Sequence, residues 1–114
     1  MIFRINLNNK SEKYISLFPV GELDANTSID LDERIGELIE TNQVNIHVSL
    51  EKVDYISSAG LGVFISHLDV LGSKNGKLVL SKLNETVMDV FELLGLSQLL
   101  IIAKDGENIE SYFK

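Results

Sequence analysis

Cysteine is absent from this chain, which removes disulfides, thiol nucleophiles and thiolate metal sites together and favours a reducing compartment, the cytoplasm. Basic residues are few, ten against seventeen acidic ones, for a formal net charge of -7. They are scattered, so neither a nucleic-acid backbone nor an anionic membrane is an expected partner; another protein is. No apolar run approaches the roughly 18 residues of a membrane span, and no basic segment followed by an apolar block opens the chain as in a signal peptide. Proline occurs once, at Pro19, and with no N–H to give a ladder it is expected to end a strand there. Internal repeats, linkers and low-complexity blocks are also missing.

What is present suits one ordinary globular domain over residues 1–114, with 45% hydrophobic and 24% charged residues. A domain of this length buries roughly 65% of its unfolded surface, enough for one core. Phe3, Ile5 and Leu7 alternate with polar residues, a polar turn spans Asn8 to Glu12, and Tyr14, Ile15, Leu17 and Phe18 follow, predicting a hairpin. Leu31, Ile35, Leu38 and Ile39 share one helical face. Val44, Ile46, Val48 and Leu50 alternate with Asn45, His47 and Ser49, as in a strand of a sheet covered on one face and wetter on the other.

A helix is predicted from Ser58 to Leu71 with Gly72 as its stop, then a turn at Ser73 to Gly76 and a strand from Lys77 to Ser81. Asn84 caps a further helix that ends at Gly95, Leu99 to Ile102 form a short strand, and Asn108 to Phe113 suit a last helical turn. The order implies an α/β fold: a mainly parallel sheet of four to five strands with an antiparallel N-terminal strand, right-handed crossovers, and helices mainly on one face. Ligands of such sheets usually sit beyond the carboxyl ends of the strands, where both the Glu22 to Thr27 loop and the Tyr55 to Gly62 turn belong.

In that second turn Ser57 and Ser58 stand where a strand pattern gives way to a helix pattern. Free N–H groups and the helix dipole favour an anion there, and Ala59 and Gly60 leave room for an approaching protein. The plainer alternative for Ser58 is a helix cap. Leu61 is open to either core or partner contact, and Val63 reads as core. Elsewhere the chemistry is thin. His47 and His67 have no metal-ligand spacing, and Ser66, His67 and Asp69 point in different directions on one helix and cannot form a nucleophile and base. The run from Gly72 to Lys77 lacks P-loop spacing, and Glu22, Asp24, Asp30 and Asp32 lack a calcium-loop arrangement, so no metal or cofactor is expected.

GELDANT at Gly21 to Thr27, the strand at Val44 to Leu50, YISSAGLGVF at Tyr55 to Phe64 and LLGL at Leu93 to Leu96 together resemble the STAS domain. The similarity is to bacterial anti-sigma factor antagonists of sporulation and stress signalling, and covers nearly the whole chain. It implies a non-enzymatic regulator, monomer or weak dimer, that binds an anti-sigma factor serine/threonine kinase and frees a sigma factor. Phosphorylation by that kinase breaks the complex, and a PP2C-type phosphatase reverses it. The resemblance assigns the phosphoacceptor to Ser58, with Ser57 as alternative because it stands where the family has an aspartate. It assigns the partner surface to Glu22, Asp24, Ala25, Asn26, Thr27, Ser57, Ala59, Gly60 and Leu61, and it lets Asp24 supply the missing charge. Two other readings remain: a STAS scaffold or accessory subunit that is never phosphorylated, and an enzyme with Ser58 as nucleophile, which lacks a base.

Overall fold

The structure, a computed structural model, describes residues 4–8 and 13–113. The strands are β1 (Arg4–Asn8), β2 (Ile15–Leu23), β3 (Asn45–Ser49), β4 (Lys52–Ile56), β5 (Lys77–Ser81) and β6 (Ile101–Ile102). The helices are α1 (Thr27–Glu40), α2 (Ser58–Ser66), α3 (Leu68–Ser73) and α4 (Glu85–Leu93), with 3-10 turns at Leu96–Gln98 and Ile109–Phe113. One six-stranded sheet runs in the order β1-β2-β3-β5-β6, and β4 continues the sheet beside β2. β1 pairs with β2 antiparallel, and every other pairing is parallel. Phe3 and most of the turn expected at Asn8 to Glu12 lie outside the described residues.

Six strands replace the four to five expected, because β4 was not foreseen. β2 makes it possible by changing partners: Ile15 to Leu17 pair with β3, while Val20 to Leu23 pair with β4. Pro19 falls between the two segments, where no parallel partner is in register with it, so β2 runs through the proline instead of ending there. The helix expected from Ser58 to Leu71 is likewise two. Ser66 Oγ donates to the Val63 carbonyl at 2.9 Å, a local competitor of helical bonding, and His67 separates α2 from α3.

Ile46, Val48, Leu78 and Leu80 of the central strands pack with Leu31, Ile35, Phe64, Leu71, Val87 and Phe91 of the helices in one core. The opposite sheet face carries His47, Ser49 and Ser81, and it is buried as well. The expected wet face is therefore covered: the segment after β6 crosses it, with Phe113 stacked on Tyr14 at 4.9 Å and Lys77 Nζ donating to the Tyr112 carbonyl at 3.1 Å. Asn84 caps α4 through Val87 N–H at 2.7 Å, and Gly95 takes the left-handed φ of 71° that closes it.

Candidate functional site

β2 and β4 are parallel neighbours with Leu23 opposite Ile56, so the segments that leave them emerge side by side. The Ser57 N–H donates to the Leu23 carbonyl at 2.8 Å and ties the two together. After Leu23 the chain turns on Asp24, whose Oδ1 accepts the N–H groups of Asn26 and Thr27, each at 2.9 Å. Thr27 Oγ1 donates to the Glu22 carbonyl at 2.6 Å and itself accepts the Asp24 N–H at 2.9 Å. These bonds, led by the one from Thr27 N–H, hold the Asp24 carboxyl below its ordinary pKa, so it stays ionised. The loop is thus a fixed, negatively charged entry to α1.

After Ile56, Ser57 is the N-cap of α2: its Oγ accepts the Gly60 N–H at 3.4 Å. Ser58 is the first helical residue, and it is exposed, as is Ala59. The first turn of α2 holds no acidic side chain, unlike those of α1 and α4, which carry Asp30 and Glu85. The positive end of this helix is therefore met by hydroxyls alone. Gly60 lets α2 begin against the strand ends, since a methyl group there would lie 2.8 Å from Ile56 Cγ1 and 3.1 Å from Leu23 Cβ.

The sequence-assigned residues divide by exposure. Glu22, Ala25, Asn26, Ser58 and Ala59 are exposed, Asp24, Thr27 and Ser57 are half-buried, and Gly60 is buried as backbone support. Leu61 is only 4% exposed and belongs to the core, because α2 turns that residue inward; it is removed from the contact surface. Val63 is core as expected. Two residues escaped sequence reasoning: Tyr55, 49% exposed and opposite Glu22, and Ile29, 57% exposed in the first turn of α1. Their apolar character implied burial. The available signal was phase, since Ile29 falls two before Leu31 and off the buried stripe.

The histidines serve elsewhere. His67 Nε2 meets Asp32 Oδ1 at 2.8 Å and links the α2–α3 break to α1. His47 lies between Ser16 Oγ, 2.8 Å from Nδ1, and Ser81 Oγ, 2.6 Å from Nε2, and burial pulls its pKa down to about 4, so the ring is neutral at pH 7. Among the described residues no three His, Asp or Glu side chains gather as a metal site.

Comparison with known proteins places this geometry among others. A family model described as STAS domain matches residues 8–109. An anti-sigma-B factor antagonist of Listeria monocytogenes is 31% identical over 112 residues, covering 94% of this chain and 95% of the relative. Among solved structures, an anti-sigma factor antagonist from Mycobacterium paratuberculosis superposes with a TM-score of 0.85 at 16% identity, over 98% of this chain and 94% of that one. The Bacillus cell fate determinant SpoIIAA in its phosphorylated form gives 0.73 at 21% identity, over 96% and 99%.

Proposed function

This chain belongs to the STAS domain family, and on that premise we propose that it is a cytoplasmic anti-sigma factor antagonist switched by phosphorylation of Ser58. In its unmodified form it binds an anti-sigma factor serine/threonine kinase through the Glu22 to Thr27 loop and the first turn of α2, releasing the sigma factor. The kinase transfers the γ-phosphoryl group of ATP to Ser58 Oγ, whose proton leaves to a base on the kinase, and the complex separates. A PP2C-type phosphatase hydrolyses the phosphoserine and restores binding. The protein itself catalyses nothing in this cycle. Among the described residues no helix is long and apolar enough to cross a membrane.

The observation that carries the proposal is the exposed Ser58 hydroxyl at an acid-free helix start beside the ionised Asp24 loop. The helix end tolerates the added charge. A docked partner does not: it would have to desolvate a group of about -1.5 to -2 charge beside Glu22 and Asp24, and an unpaired buried charge costs several kcal/mol in order of magnitude. Ser57 is the weaker acceptor because its hydroxyl is already engaged as the cap. Tyr55 and Ile29 add exposed apolar area on the same surface.

One observation favours the reading as an unphosphorylated scaffold: Ser57 replaces the aspartate that precedes the acceptor in the family. Incubation with ATP and an anti-sigma factor kinase, followed by phosphosite mapping, separates the two. The switch requires phosphate on Ser58, retained binding by Ser58→Ala and lost binding by Ser58→Glu; a scaffold shows no transfer.

A further inference from the structure

On the sheet face opposite the helices, a solvent-open cavity of about 270 Å3 is lined by His47, Ser49 and Ser81. It is larger than the roughly 150 Å3 engineered cavity that admits a benzene molecule. We propose that this cavity is a binding site for a small, neutral, hydroxyl-rich molecule of the polyol or monosaccharide class. The site is independent of the Ser58 surface, and nothing in the antagonist reading requires it.

Its floor is polar and deeply buried, with Ser49 4%, Ser81 5% and His47 6% exposed. Among the described residues the Ser49 hydroxyl has no protein hydrogen-bond partner, and its oxygen is not sealed from solvent as the unpaired Ser28 Oγ is, so it is open to a molecule in the cavity. Ser81 is half-used. A neutral imidazole donates from one nitrogen and accepts at the other, so of Ser16 and Ser81 one must donate to the ring and one accept from it. Ser81 therefore offers the cavity either a free proton or free lone pairs, and Ser49 offers both. A hydroxyl, which donates and accepts, answers every combination; a carboxylate or an ammonium group answers one.

The surrounding charges select neutrality. Lys82 and Lys104 face Glu51, Asp105 and Glu107, leaving one net negative charge, too little to recruit an ion. Glu107 is further engaged by the Lys104 N–H at 2.9 Å and by the Tyr112 hydroxyl. Phe18 and Ile109 supply apolar walls for the C–H faces of such a ligand.

The test is a 15N–1H titration of the intact protein with myo-inositol and with D-glucose, against sodium glutamate and sodium phosphate. Saturable shifts at the amides of Ser49, Ser81, Lys82 and Ala103 are expected with at least one polyol below about 10 mM, the range in which a millimolar ligand saturates. Ser49→Ala should weaken binding about tenfold. Glu51→Ala, at an exposed residue of the cavity rim whose carboxylate can accept from a ligand hydroxyl, should weaken it severalfold, and Ser58→Ala should leave it unchanged. Absence of saturation by both polyols, saturation by glutamate or phosphate alone, or unaltered affinity in folded Ser49→Ala and in Glu51→Ala overturns the proposal.

Discussion

Two adjacent serines share their chemistry and differ in everything else: the Ser57 hydroxyl accepts the Gly60 N–H, while that of Ser58 faces solvent. Ser57→Ala should cost about 0.5–1 kcal/mol, at the low end for a cap because the bond is long, read as a lower urea midpoint at unchanged slope. Ser58→Ala should leave the midpoint where it is. Asp24 carries the acid sensitivity of the loop. Its carboxyl is held below the ordinary value of 3.8 when folded, so its contribution is full above that pH and is lost as pH falls through the folded value. Asp24→Asn should flatten that limb of a stability-against-pH curve, and under the proposed switch it should also slow phosphorylation of Ser58. A cap was legible in the sequence at Ser58 and lies one residue earlier, at Ser57, while the turn on Asp24 was not anticipated although short polar side chains before a helical pattern are capping signals. The division of labour between the serines was not legible, because it depends on one residue of helix phase.

Among elements, the strand that escaped sequence reasoning shows what periodicity cannot see. β4 has only five residues, two of them charged, and its pairing with β2 shifts register between Gly21 and Glu22, so Asp54 and Tyr55 are both exposed and the alternation is broken. The same irregularity exposes Tyr55 beside the candidate site. Core-facing stripes were readable in large part: Leu31, Ile35, Leu38 and Ile39 are all buried, as are Phe64 and Leu71, but Ile65 and Leu94, whose spacing also suits the buried stripes of their helices, are 39% and 56% exposed. The break at His67 was not, because Ser66 and His67 fit a continuous helix by spacing. His67 and Asp32 there join two elements at the surface, and a double-mutant cycle with His67→Ala and Asp32→Ala should return a coupling below about 1 kcal/mol.

At the scale of the molecule, the sheet separates two chemistries. One face carries the apolar core and presents Ser58 at the strand ends; the other holds the neutral His47 between two serines under the C-terminal segment. Alternation around His47 announced a polar face, but its cover comes from residues distant in sequence, and no local pattern reports that. Because the folded His47 pKa lies near 4 and the unfolded value near 6.5, the unfolded chain binds the extra proton between them, and stability should fall as pH drops through that window. His47→Gln should remove that slope, as followed by thermal unfolding at fixed ionic strength. The proposed switch makes the opposite demand: phosphate should change docking and leave the fold alone. The most direct measurement is the affinity of the unmodified and the Ser58-phosphorylated protein for one anti-sigma factor kinase, by calorimetry at matched salt. A weakening of at least about a hundredfold, worth roughly 2.7 kcal/mol, is predicted, with unchanged unfolding midpoint. Equal affinity of the two forms would contradict the account.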